Sequence, residues 1–139
     1  MCAGRASVPI MRSVALLSVL LAGAATAQTL DTRDGDTLIA STDLDARLRG
    51  QELVFLDDGV SHFYNDGRYT YAYDMGAGGY AYGYFEVAED STVCIAFLNG
   101  FSRCDAFVEN NGRLVLITGD GDRFPIREER DAGPDPLLE

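Results

Sequence analysis

Two cysteines ten residues apart, on either side of an Asn-Gly turn, constrain this chain more than any other feature. The stretch Thr92–Glu109 reads TVCIAFLNGFSRCDAFVE: an apolar run, a turn at Asn99-Gly100, and a second run returning. Strand side chains alternate faces, so loop length decides whether Cys94 and Cys104 meet. A two-residue Asn99-Gly100 loop sets Cys94 against Asp105 and points the sulfurs to opposite faces. A three-residue loop, Leu98-Asn99-Gly100, pairs Phe97 with Phe101 and Cys94 with Cys104. Such a loop asks for a left-handed residue last, and Gly100 stands there. The flanking pair is then hydrogen-bonded and the cysteine pair is not, which brings its Cα atoms closer. The pattern predicts a cross-strand disulfide between Cys94 and Cys104.

A disulfide asks for an oxidising compartment, and the N-terminus agrees with one. Arg5 and Arg12 precede an apolar run from Ser13 to Ala25, and Ala25-Thr26-Ala27 is a small-x-small site before Gln28. Residues 1–27 read as a secretory signal peptide cleaved after Ala27. The apolar run is too short for a stable transmembrane helix. No Cys directly follows it and no Arg-Arg pair precedes it, which favours the general secretory route over lipidation or twin-arginine export. The expected location is periplasmic or secreted, with no transmembrane helix in the mature chain.

Cleavage would leave 112 residues, enough for one small domain. Loss of Arg5 and Arg12 takes the net charge from −11 to −13. That charge makes nucleic acid and anionic membrane surfaces poor partners.

Residues 28–36 are acidic and short of apolar side chains, and read as a flexible terminus. Asp31, Asp34 and Asp36 lack the longer ligand series of a calcium loop. Thr37–Ala40 reads as a short strand. Thr42 stands as the N-cap of a helix over 43–49, with Leu44 and Leu48 on one face and Gly50 at its end. From Gln51 onward, strands alternate with turns that hold Gly beside Asn or Asp. The strands are Gln51–Leu56, Val60–Tyr64, Arg68–Asp74, Tyr80–Ala88, the two arms of the cysteine hairpin, Arg113–Thr118 and Asp122–Ile126. The fold class is mainly β: an antiparallel up-and-down meander of about eight strands with one short N-terminal helix. Closure into a small barrel would remove its exposed edges. The domain spans 37–127, and the acidic, proline-bearing tail 128–139 reads as disordered.

Tyrosines crowd the middle of the chain. Tyr69, Tyr71 and Tyr73 alternate on one strand, and Tyr80, Tyr82 and Tyr84 on the next. A six-residue loop, Asp74–Gly79, pairs Tyr73 with Tyr80, Tyr71 with Tyr82 and Tyr69 with Tyr84, all on one face. That stripe either stiffens a long hairpin or forms a platform for a protein, peptide or glycan. The opposite face would carry Thr70, Ala72, Ala81, Gly83, Phe85 and Val87.

From Leu48 to Ile126 the chain resembles a loose group of small secreted alphaproteobacterial proteins of unknown function. The matching elements are Leu48-Arg49-Gly50, Gly83-Tyr84-Phe85, Cys94-Ile95-Ala96-Phe97, Arg103-Cys104-Asp105 and Asp120-Gly121. That group often has Trp where this chain has Phe85. The resemblance implies a periplasmic β-rich domain and carries no known active site. The Gly-x-aromatic strand is also similar to one in lipocalins.

Catalytic constellations are sparse. His62 is the one histidine, and it lies in a strand run. A single His beside two paired cysteines makes no ordinary zinc site. There is no Gly-x-Ser-x-Gly elbow for a Ser-His-Asp triad. The acid pairs Asp57/Asp58 and Asp120/Asp122 flank turn glycines, where turn chemistry accounts for them. The sequence therefore points away from an enzyme and calls for no metal or cofactor. It favours a binding module acting through the tyrosine stripe. The alternatives are a lipocalin-like carrier of a small apolar ligand and an acidic inhibitor steered to a basic secreted hydrolase.

Overall fold

A computed structural model describes residues 30–134. The expected signal peptide and cleavage site, and the tail from 135, lie outside the described residues. Among the described residues no helix is long and apolar enough to cross a membrane.

Eight antiparallel strands close into a barrel. They are β2 (Gln51–Phe55), β3 (Val60–Phe63), β4 (Arg68–Ala72), β5 (Tyr80–Val87), β6 (Thr92–Phe97), β7 (Ser102–Asn110), β8 (Arg113–Ile117) and β9 (Arg123–Asp131). Each pairs with its neighbour in the chain, and β9 returns to β2 to close the ring. Closure leaves no strand of the meander as a free end strand, which an open sheet would expose. A short additional strand, β1 (Asp36–Leu38), lies against the far half of β7, at Val108–Asn110.

The cysteine hairpin has the register that parity predicts. Phe97 N–H donates to Phe101 O at 2.8 Å, Gly100 has φ 88°, and Cys94 stands opposite Cys104. Their Cα atoms are 4.0 Å apart and their sulfurs 2.04 Å apart.

Helix α1 runs Ser41–Leu48, starting two residues and ending one residue earlier than expected, and its N-cap position is Ala40 with no side-chain cap. Thr42 lies inside the first turn, so it does not cap. Leu44 and Leu48 are fully buried among Phe63, Phe85 and Phe107 and plug one end of the barrel. Arg47 holds the plug in place with hydrogen bonds to Glu109 of β7 and Glu129 of β9 at 2.7–2.9 Å.

Two expectations about the termini need correction. β9 runs to Asp131, beyond the boundary expected at 127. Its charges suggested a solvated tail, but β2 needs a ladder partner, and the charges find partners across it. Arg130 donates to Glu52 at 2.8 Å and Gln51 to Asp131 at 2.6 Å. The register shifts between Val54 and Phe55, where Arg127 is the extra residue of β9. At the other end, Asp36 is anchored rather than loose. Both its oxygens accept from the Arg123 guanidinium at 2.8 Å, and Asn110 donates to it as well. On the outer face of β7 and β8, Ala106, Val108, Val115 and Ile117 form a second buried cluster, against which Leu30 packs.

Candidate functional site

The end of the barrel away from α1 opens into a cavity of about 240 Å³. Its walls are inward-facing side chains from the finishing or starting turns of most strands. Phe55, Phe63, Ile95, Phe97, Leu116 and Phe124 supply the apolar lining. Asp57, Ser61, Tyr69, Tyr71, Arg103 and Asp105 supply the polar groups.

The six tyrosines expected on one face are divided between two. Across β4 and β5 the pairs are Tyr69–Gly83, Thr70–Tyr82, Tyr71–Ala81 and Ala72–Tyr80. The connection therefore holds seven residues, Tyr73–Gly79, one more than expected. Tyr73 N–H donates to Gly79 O at 3.0 Å, and Asp74 and Met75 both take left-handed φ, 47° and 50°. One residue of register moves every side chain of a strand to the other face. Tyr69 and Tyr71 consequently point into the barrel, opposite the small Gly83 and Ala81, while Tyr73 sits at the rim. Tyr80, Tyr82 and Tyr84 point outward and are 57%, 53% and 58% exposed. Thr70 and Ala72 join them outside, not on the core face with Ala81 and Gly83.

Inside, the aromatic rings pack in two groups. Tyr71 lies edge-on to Tyr73 with centroids 4.8 Å apart, and Phe55 packs on Tyr71 at 6.0 Å. Tyr69 packs edge-on against Phe97 at 6.0 Å and Phe63 at 5.1 Å. Edge-to-face packing of this kind adds to the value of burial alone. Burial pushes the Tyr69 phenol far above its usual range, with the Ser61 hydrogen bond opposing. Burial raises Tyr71 too, with the Asp57 charge adding to it. Both phenols are neutral at physiological pH.

Arg103 and Asp105 flank Cys104 on β7. The cysteines face outward, so these two charges face inward. Arg103 Nε donates to Asp105 Oδ2 at 2.6 Å, and Asp105 is buried. In the sequence the pair shows only as two charges flanking a cysteine. A usable signal was present, because Val93, Ile95 and Phe97 alternate with Cys94 and mark the opposite face as the apolar, inner one. Ser61 carries no sequence signal, and Asp57 has the turn role its neighbouring glycine predicts while also lining the cavity. Ser61 is buried on β3 and Asp57 follows β2, in a turn where its carboxylate accepts from Gly59 N–H at 3.1 Å.

His62 is on the outer face of β3, remote from the cavity. It stacks on Tyr64 with centroids 3.7 Å apart and lies 3.7 Å from a Glu52 carboxylate oxygen. Cys94 and Cys104 are outside too, Cys94 standing opposite Glu86 of β5.

No family model, curated protein or solved structure matches the chain.

Proposed function

We propose that this protein is a non-enzymatic binding module of the periplasm or extracellular space that holds a small apolar ligand in the open end of its barrel. The observation that carries this reading is the cavity: concave, largely apolar, and supplied with a few convergent polar groups, as small-molecule sites are. Eight-stranded barrels have room for side chains or one small ligand. Here large side chains and α1 fill one end, and the other is left hollow. The carrier reading therefore moves ahead of the tyrosine stripe, whose inner half lines the hollow.

The test is a thermal titration with toluene, paired with the cavity-filling variant Leu116→Trp. A saturable rise in Tm for the native chain, absent in the folded variant, is the expected result. A native chain that shows no saturable rise, or a variant that responds equally, overturns the proposal.

A second reading rests on the outer tyrosines. Tyr80 and Tyr82 stack with centroids 6.2 Å apart, and Tyr84 continues the row. Such a row offers rigid contact area to a protein or cell-wall sugar. Tyr82→Ser should weaken capture of that partner and leave toluene binding unchanged. Unaltered capture counts against this second surface.

A further inference from the structure

We infer that the ligand carries an uncharged hydrogen-bond acceptor on its apolar body, and that Arg103 and Tyr71 read it. This inference rests on the cavity reading above and names the chemistry of its occupant.

The argument is one of hydrogen-bond capacity. Among the cavity's polar groups, Ser61 and Tyr69 satisfy each other at 2.8 Å. Asp57 accepts from the Gly59 backbone, and Asp105 accepts from Arg103 Nε. Arg103 has further donors on its two terminal nitrogens, and neither has a protein partner among the described residues. The Tyr71 hydroxyl likewise has no hydrogen-bond partner there. Both groups line the same cavity. A guanidinium only donates, so what meets it must accept. Asp105 fixes the guanidinium through Nε, and this leaves its outer edge pre-oriented for a ligand atom.

Charge selects a neutral acceptor. The cavity holds Asp57 and Asp105 against Arg103 alone, and the whole chain carries −11. An anion would enter against that excess. A cation would have to approach the one positive group in the lining. Size adds a limit. A cavity of about 150 Å³ takes benzene, so this one has room for a body of roughly ten heavy atoms.

Three probes of one shape separate the possibilities: acetophenone, isopropenylbenzene and benzoate. They share a phenyl ring and differ in presenting a neutral acceptor, no acceptor, or an anion. One hydrogen bond is worth about a factor of ten in affinity. Acetophenone should bind about tenfold tighter than isopropenylbenzene, and benzoate should bind more weakly than acetophenone. Arg103→Met alone would strand the buried Asp105 carboxylate, so the variant is Arg103→Met with Asp105→Leu, its fold checked by circular dichroism. It should lose most of the preference for acetophenone while still binding isopropenylbenzene, and adding Tyr71→Phe should remove the rest. Equal affinity of the native chain for acetophenone and isopropenylbenzene overturns this inference and leaves the cavity reading standing. Tightest binding of benzoate overturns the assignment of a neutral ligand. Binding of none of the three overturns the cavity reading, and this inference with it.

Discussion

Tyr69 stands opposite Gly83 across the β4–β5 ladder, its phenol inside the barrel and bonded to Ser61 at 2.8 Å. The pairing sets a large inward side chain of β4 against the smallest of β5. It also needs the absence of a side chain at 83. A Cβ there would lie 2.5 Å from Ala96 O and 3.0 Å from Phe97 Cα, backbone atoms of β6 that cannot yield cheaply. Gly83→Ala should cost about 1–3 kcal/mol, the range of an overpacked site. Urea denaturation measures it, and a neutral result would mean that β5 and β6 can separate without loss.

The two halves of the tyrosine set should respond differently to truncation. Tyr69→Phe leaves the buried Ser61 hydroxyl without its partner and should cost about 1–2 kcal/mol. Tyr82→Ser, at an exposed outer position, should change stability by no more than about 0.5 kcal/mol. Equal losses in denaturation would place both on one buried face and contradict the register.

The Cys94–Cys104 link closes a loop of sequence separation 10. Loop-closure entropy values such a link at about 2–3 kcal/mol. Because the pair is on the outer face, the Cys94→Ser, Cys104→Ser variant should lose that stability and keep its affinity for the barrel ligand. A variant that loses binding in step with the disulfide would tie the cavity to the hairpin.

Asp36 gives the fold an acid-sensitive fastening. Its hydrogen bonds with Arg123 hold the carboxyl well below its ordinary value of 3.8; burial opposes, and Arg33 N–H and Asn110 assist. With the folded pKa lowered, the unfolded chain takes up the proton first. The stabilisation is therefore complete above about pH 5 and drains away as pH falls through 4 and below. Tm against pH should fall more steeply below that point in the native chain than in Asp36→Asn. Parallel curves would remove Asp36 from the account.

Much of the barrel was legible because its turns announce themselves. Glycine beside Asn or Asp marks where strands end, and cysteine parity fixed one hairpin to the residue. Legibility failed where a local choice depended on tertiary partners. Asp74 and Met75 adopt left-handed conformations that ordinary residues seldom take. They are held by Met75 N–H donating to Asp58 O at 2.8 Å, a contact from the neighbouring loop that no local pattern encodes. That extra residue of loop split the tyrosines. The end of β9 is not legible locally, because its Arg and Glu side chains are stabilised by partners on β2 and α1, distant in sequence. Arg103 and Asp105 flank a cysteine, and such charges look like surface until the apolar face opposite the disulfide is taken as the interior.

The most direct test is a set of intermolecular NOEs from acetophenone to the aromatic protons of the labelled protein. The account predicts NOEs to Phe55, Tyr71, Phe97 and Phe124 around the open end of the barrel, and none to Tyr80, Tyr82 or Tyr84. NOEs to the outer tyrosines alone would show that the barrel interior is only a core, and would move the binding function to the outer row.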